Sequence, residues 1–158
     1  MKHLPKHLRP RRRYLGVAIE SWPDAGFGRR DLQRECWYAA QNLLGDPGAA
    51  DADLQVIDFS FEEGRGWAVV RVRRSEVERA RAALACVDSV DGAPVALEIM
   101  GASGTIRACE ERYKGRALLK ADKRNVAFAD ARRPAFVRGG RVDARLEDGF
   151  VGATSLDI

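Results

Sequence analysis

The sequence predicts an α+β fold of the ferredoxin-like, split βαβ, RRM-like type. This is an antiparallel sheet with helices on one face, followed here by a third helix and a C-terminal extension. Three observations predict it. Apolar runs suited to strands recur at Tyr14–Glu20, Leu54–Phe61, Trp67–Val72 and Val95–Ile99. Stripes at helical spacing separate the first run from the second and the third from the fourth. A short turn, Glu62-Glu63-Gly64-Arg65-Gly66, joins the middle two as a hairpin.

The chain opens on MKHLPKHLRPRRR, residues 1–13, where Pro5 and Pro10 interrupt a segment with no helical period. It is expected to be an extended basic arm. Six of the 27 basic side chains lie here (Lys2, Lys6, Arg9, Arg11, Arg12 and Arg13), with none of the 23 acids. The excess of positive charge therefore belongs to the arm and not to the whole fold. Such an arm can lie along a nucleic-acid backbone, where each neutralised phosphate releases counterions. His3 and His7 do not form a helical metal pair, because Pro5 lies between them.

From Tyr14 the period-two run Leu15, Val17, Ile19 predicts the first strand, ended by Trp22-Pro23-Asp24. Asp31 is the expected N-cap of a helix to about Leu44, with Leu32, Cys36, Ala39, Ala40 and Leu43 as its stripe. Gly45-Asp46-Pro47-Gly48 predicts its end, and residues 49–53 a loop. In the second strand Leu54 and Val56 give way to Ile57, Phe59 and Phe61, a change of phase that predicts a bulge. After the third strand, Ser75-Glu76-Val77-Glu78 has the form of a capping box, opening a helix with Val77, Ala80, Leu84 and Val87 inward. Asp91-Gly92-Ala93-Pro94 turns the chain into the fourth strand.

The stretch VALEIMGASGTIRACEERY, residues 95–113, is the densest in signal. A strand is expected to break at Gly101-Ala102-Ser103-Gly104 and enter a third helix with Ile106, Cys109 and Tyr113 inward. Ser103 or Thr105 would cap it. A strand, a glycine-rich loop and a helix start together form a plausible anion site, although the plain alternative is a tight turn without ligand. Beyond Arg116 the signal is weaker. A short strand at 126–128 and a hairpin over 135–146, turning at Gly139-Gly140, are expected, with a loose tail over the last ten residues. The domain reading is an arm, 1–13, a core, 14–115, and an extension, 116–158.

Chemistry of its own is not evident. No histidine lies outside the arm, which removes the commonest general base and metal ligand. Ser103 thus lacks a partner, and Cys36, Cys86 and Cys109 lack metal-ligand spacing. Their odd number on helical stripes predicts buried thiols in a reducing cytoplasm. No apolar run approaches the roughly 20 residues that span a bilayer. Arg65-Gly66-Trp67-Ala68-Val69-Val70-Arg71-Val72 partly matches an RNA-recognition strand, with Trp67 at a stacking position. The other stacking position holds Val69, so a working base-reading face is not expected. Arg71, Arg73 and Arg74 remain candidates for phosphate contact.

PKHLRPRRRY at 5–14, VRVRRSEVERARAAL at 70–84 and GASGTIRACEERY at 101–113 together resemble the family of protein component 2 of archaeal ribonuclease P, whose eukaryotic counterparts serve nuclear ribonuclease P and ribonuclease MRP. The resemblance implies a subunit of an RNA-based endoribonuclease that removes the 5′ leader of precursor tRNA. It implies that the RNA holds the catalytic Mg²⁺ and that the protein supplies no catalytic residue, metal ligand or cofactor site. The implied partners are ribonuclease P RNA, protein component 3 (as a heterotetramer), the other ribonuclease P proteins and precursor tRNA. The expected RNA contacts are Lys6, Arg9, Arg11, Arg12 and Arg13, then Arg71, Arg73, Arg74 and Arg107. Two other readings remain open: an RNA-binding module of another ribonucleoprotein such as the ribosome, and a regulatory domain binding a small anion at 101–105.

Overall fold

The computed structural model describes residues 3–158. Met1 and Lys2, the first two residues of the expected arm, lie outside the described residues. The first sheet is built from β1 (Arg12–Ser21), β2 (Gln55–Glu62), β3 (Arg65–Arg73), β4 (Ser89–Val90) and β5 (Ala93–Ser103). Its strand order is β2-β3-β1-β5-β4, and every pairing is antiparallel. Without the two-residue β4, this is the four-stranded ferredoxin-like order. Helices α1 (Arg29–Ala52) and α2 (Val77–Ala85) cover one face.

That face is apolar because β1, β2 and β3 direct alternate residues toward it. Leu15, Val17, Ile19, Val56, Val70 and Val72 are buried against Leu32, Cys36 and Ala40 of α1 and Ala80, Ala83 and Leu84 of α2. Each large aliphatic side chain so buried contributes about 1.5–3 kcal/mol. The bulge expected in the second strand is present, since the register shifts between Val56 and Asp58. Its effect is to let Ile57 serve the opposite face while Phe59 and Phe61 stay with Val56.

The opposite face is also covered. α3 (Ile106–Cys109) continues through a π-helical turn (Glu110–Lys114) into α4 (Gly115–Ala117). Cys109, Ala117 and part of Tyr113 pack on Ala18, Trp67 and Val69. Room for this comes from two glycines that face each other across β1 and β5, Gly16 and Gly101. A Cβ at Gly16 would lie 2.7 Å from the Trp67 ring and 2.9 Å from that of Tyr113, and one at Gly101 would strike the Tyr113 hydroxyl. Gly101 was expected to free the backbone for a loop. Instead β5 runs through Ser103, and neither Gly101 nor Gly104 has a positive φ. The missing side chain is what Gly101 contributes.

Several local expectations are corrected. Asp31 is not the N-cap: α1 begins two residues earlier, and Asp31 reaches back to accept from the Gly28 amide at 2.9 Å. The helix does not end at Gly45. That residue, at φ 71°, kinks the chain, and a second helical piece continues to Ala52. Pro47 is tolerated because it opens the second piece, where an N–H has no helical partner. Leu43 is half exposed instead of inward. The Ser75 capping box does not form; a 3-10 turn over Arg74–Glu76 leads into α2, whose N-cap makes no side-chain bond. Cys36 and Cys109 are buried, but Cys86 is exposed at the end of α2.

The extension holds more order than expected. β6 (Asp122–Phe128), β7 (Ala131–Arg138), β8 (Arg141–Leu146) and β9 (Gly149–Thr154) form a second antiparallel sheet in chain order. The hairpin turning at Gly139-Gly140 is there. The loose tail is corrected, since β9 pairs with β8 along its length. One face of this sheet carries its own small core of Val126, Ala135 and Val142.

Candidate nucleic-acid interface

The start of β1 lies beside the end of β3, with Arg12 opposite Arg73 and Tyr14 opposite Arg71. This pairing brings together cations that are sixty residues apart in the chain. The Arg11 carbonyl accepts from the Arg74 amide at 2.9 Å, and the segment joins Arg73, Arg74 and Ser75 around an open groove of about 500 Å³, closed by Pro10. On the other side, Tyr14 pairs with Ser103, and the Arg13 guanidinium lies beside Gly104, just before α3. The result is an arginine rim across β3, β1 and the β5–α3 corner.

Where these arginines find partners decides what they are free to do. Arg12 reaches across to Asp53 at 2.6 Å and is partly neutralised, which corrects its place in a free arm. It and Arg13 belong to β1. Arg71 bonds the neutral Gln55 side chain, and Arg13 donates to the Arg12 carbonyl at 3.2 Å. Among the described residues, no carboxylate pairs with Lys6, Arg11, Arg13, Arg71, Arg73 or Arg74. Lys6 stands exposed on a 3-10 turn, and the Arg9 side chain donates to the Leu4 carbonyl at 2.8 Å. Arg107, 88% exposed at the start of α3, pairs with Glu111 at 2.8 Å across one helical turn. An exposed pair of this kind holds weakly and yields to a stronger anion.

The alternatives lose their geometry. Trp67 is fully buried beneath the third helical segment, as is Val69, so no base can stack there. At the proposed anion loop, the Thr105 hydroxyl accepts from the Ala108 amide at 3.1 Å, and α3 is a single turn. Ser103 is buried, while His3 and His7 are exposed in the arm. Burial, assisted by Glu35, pushes the Cys36 thiol up to about 12, and burial with Glu110 raises Cys109 to about 11. Neither supplies a thiolate near neutral pH. Among the described residues no group of three or more histidine, cysteine or acidic side chains is placed to hold a metal ion.

The opposite end of β1 is built differently. Glu20 receives Arg65 at 3.5 Å and Arg141 at 3.0 Å, and Arg145 approaches Asp24 at 3.7 Å. Arg138, 5% exposed, donates to Asp143 at 2.6 Å and to the Glu63 carbonyl of the β2–β3 turn at 2.6 Å. Burial pushes the Asp143 carboxyl upward against the pull of this guanidinium. Lys123 pairs with the Glu63 carboxylate. The arginines here fasten the second sheet to the first, a role that sequence reading missed. No local pattern signalled it, because Glu20, Asp24 and Glu63 lie sixty or more residues from Lys123, Arg138, Arg141 and Arg145.

With the geometry established, comparison with known proteins supplies the lineage. The Rpp14/Pop5 family matches residues 13–114. The chain belongs to the Rpp14/Pop5 family. Proteins named ribonuclease P protein component 2 resemble it closely: that of Natronomonas pharaonis is 57% identical across all of this chain and 98% of the relative. That of Halorubrum lacusprofundi is 55% identical across 99% of each. The Methanosarcina acetivorans protein of the same name is 36% identical over 113 residues, 72% of this chain. The first two relatives therefore share the extension as well as the family core. The family match begins at Arg13 and ends at Lys114, so it takes in Arg13, Arg73 and Arg74 of the rim but not Arg11, and stops before the second sheet. Among solved structures, a chain of yeast ribonuclease MRP aligns at a TM-score of 0.48 and 13% identity, covering 70% of this chain and 98% of that one. No described helix is long and apolar enough to cross a membrane.

Proposed function

We propose that the chain is a protein subunit of ribonuclease P, an RNA-based endoribonuclease that removes the 5′ leader from precursor tRNA. The observation that carries this reading is identity above half with proteins of that name along the entire chain. Its task is to bind and stabilise the catalytic RNA, while Mg²⁺ held by that RNA activates water. The protein contributes cations: Arg11, Arg13, Arg73 and Arg74 on the rim, Lys6 and Arg9 on the arm, and Arg71, Arg12 and Arg107 after exchange of their present partners. Each phosphate so neutralised lowers the repulsion that opposes the compact active RNA. Protein component 3, the other ribonuclease P proteins and precursor tRNA complete the assembly, in the cytoplasm.

The test is reconstitution. Purified ribonuclease P RNA, the partner proteins and 5′-labelled precursor tRNA are combined with and without this chain at limiting Mg²⁺. The expected result is a lower Mg²⁺ requirement and faster leader release when the chain is present. Cleavage indifferent to it, or cleavage by the chain without RNA, overturns the proposal.

A further inference from the structure

Three of the rim arginines share one face of the first sheet. Arg71 and Arg73 stand two residues apart on β3, and Arg12 lies opposite Arg73 on β1. They continue the row of Trp67 and Val69 beyond the point where the third helical segment covers it. Two of the three are held by side chains from one short connection, that from α1 into β2. Asp53 accepts from Arg12 at 2.6 Å, and Gln55, opposite Arg71 in the register, accepts from that guanidinium. One holder is charged and the other neutral, and the difference sets what each arginine offers a phosphate.

Gln55 occupies part of the Arg71 fork and leaves its charge whole. Asp53 holds Arg12 and largely cancels it. Nothing in α1 itself calls for an acid at this place. Asp53 ends the helix in the left-handed region at φ 49°, which asparagine adopts as readily. A carboxylate there faces the negative end of the helix dipole, and the last turn of α1 holds no basic residue to offset it. Among the described residues that carboxylate pairs only with Arg12. Its charge therefore acts on the rim and not on the helix. A carboxylate and a phosphodiester present a guanidinium with the same kind of paired anionic oxygens.

We propose that Asp53 is a resident anion of the rim, a carboxylate that stands in for a backbone phosphate of the RNA and competes with it for Arg12, and that Gln55 is a positioning residue that presents Arg71 with its charge intact. This rests on the reading that the rim binds RNA, and it names the two residues that set how tightly the sheet face does so. With the two side chains 26% and 33% exposed, the Arg12–Asp53 pair is open to exchange. A backbone that only brushes the rim meets Arg71 and Arg73, whereas one that seats closely displaces Asp53 and gains Arg12 as well. The resident anion thus favours the closely fitted RNA over a loose polyanion.

The test measures binding of purified ribonuclease P RNA to the full chain over a series of salt concentrations, read as affinity and as the slope of log affinity against log salt. Asp53→Asn keeps the left-handed turn and removes the charge. The expected result is about two- to fivefold tighter binding and a slope steeper by about one. Arg12→Ala is expected to weaken binding more in the Asp53→Asn background than alone. Gln55→Glu gives Arg71 a carboxylate of its own and is expected to lower the slope by about one. Gln55→Ala is expected to weaken binding with the slope unchanged. A merely structural role would move the thermal unfolding of these variants and leave the slopes alone. Binding by Asp53→Asn no tighter than wild type, or an Arg12→Ala loss that is the same with and without the acid, overturns the resident anion. Equal slopes for the two Gln55 variants overturn the role of Gln55. In either case the rim reading stands if Arg73→Ala and Arg74→Ala still lower the slope. If the wild-type chain binds no ribonuclease P RNA, both fall.

Discussion

β1 begins and ends among arginines, yet its two ends use them in opposite ways. At the Arg12 end, Arg11, Arg73 and Arg74 line a groove with no carboxylate paired to them among the described residues. At the Ser21 end, Arg65, Arg138 and Arg141 each meet a carboxylate, and one is buried. Residue type alone does not separate a ligand-binding cation from a structural one. Pairing does: a guanidinium already satisfied inside the protein has little left to offer a phosphate, and removing it leaves an orphaned acid. The rim trades stability for availability, whereas the attachment does the reverse.

The sharpest way to break this contrast is Arg138→Ala. It leaves the half-buried Asp143 carboxylate and the Glu63 carbonyl without their donor and should cost about 3–5 kcal/mol. Hydrogen exchange should show early loss of protection in β7 and β8 while β1 and β3 stay protected. An unchanged unfolding transition would mean that the two ends are not different. Next in size, Gly101→Ala forces a Cβ into Tyr113 and should cost about 1–3 kcal/mol. The same change in a Tyr113→Ala background should cost clearly less, and the salt slope of RNA binding should not move in either. Arg73→Ala and Arg74→Ala should shift stability by no more than about 0.5 kcal/mol. Each should nevertheless lower the salt slope of RNA binding by about one.

The smallest effect concerns the thiols. Cys86 should react with iodoacetamide in the folded protein near pH 8, while Cys36 and Cys109 react only on unfolding. Because burial raises both folded thiols above their ordinary 9.0, the unfolded chain releases those protons first as the pH rises. Their contribution is therefore intact below about 9 and lost progressively toward 11 and 12. Urea unfolding of the Cys36→Ala variant should show a shallower alkaline decline. A decline as steep as that of wild type would assign it to other groups.

Much of the first sheet was legible because its signals are local and mutually consistent. Leu15-Val17-Ile19 alternates cleanly, and the phase change at Ile57 is visible in the order of residues. The kink at Gly45 was misread as an end because glycine and proline mark both stops and restarts, and only packing decides between them. The turn between β6 and β7 uses Ala129 and Asp130 with positive φ, which alanine rarely adopts, so no turn signal was present. β9 was hidden by Gly149 and Gly152, and it exists because β8 offers it a partner. Of the site, the arm was legible as charge. The meeting of Arg11 with Arg73 and Arg74 was not, because that is a property of strand register. The loss of Arg12 to Asp53 was equally hidden, since the acid lies forty-one residues away and looks like part of a loop.

One consequence follows from the length of β1. Ten residues of fully paired strand, from Arg12 to Ser21, place the rim and the point where the second sheet attaches roughly 30 Å apart. A strand flanked on both sides by other strands neither stretches nor bends freely. If phosphates are held at the rim, β1 acts as a ruler that sets how far from them the second sheet stands. The second sheet is then carried at a fixed spacing from any backbone bound at the rim, because the Arg141 and Arg138 contacts tie it to the far end of the same strand and to the turn beside it.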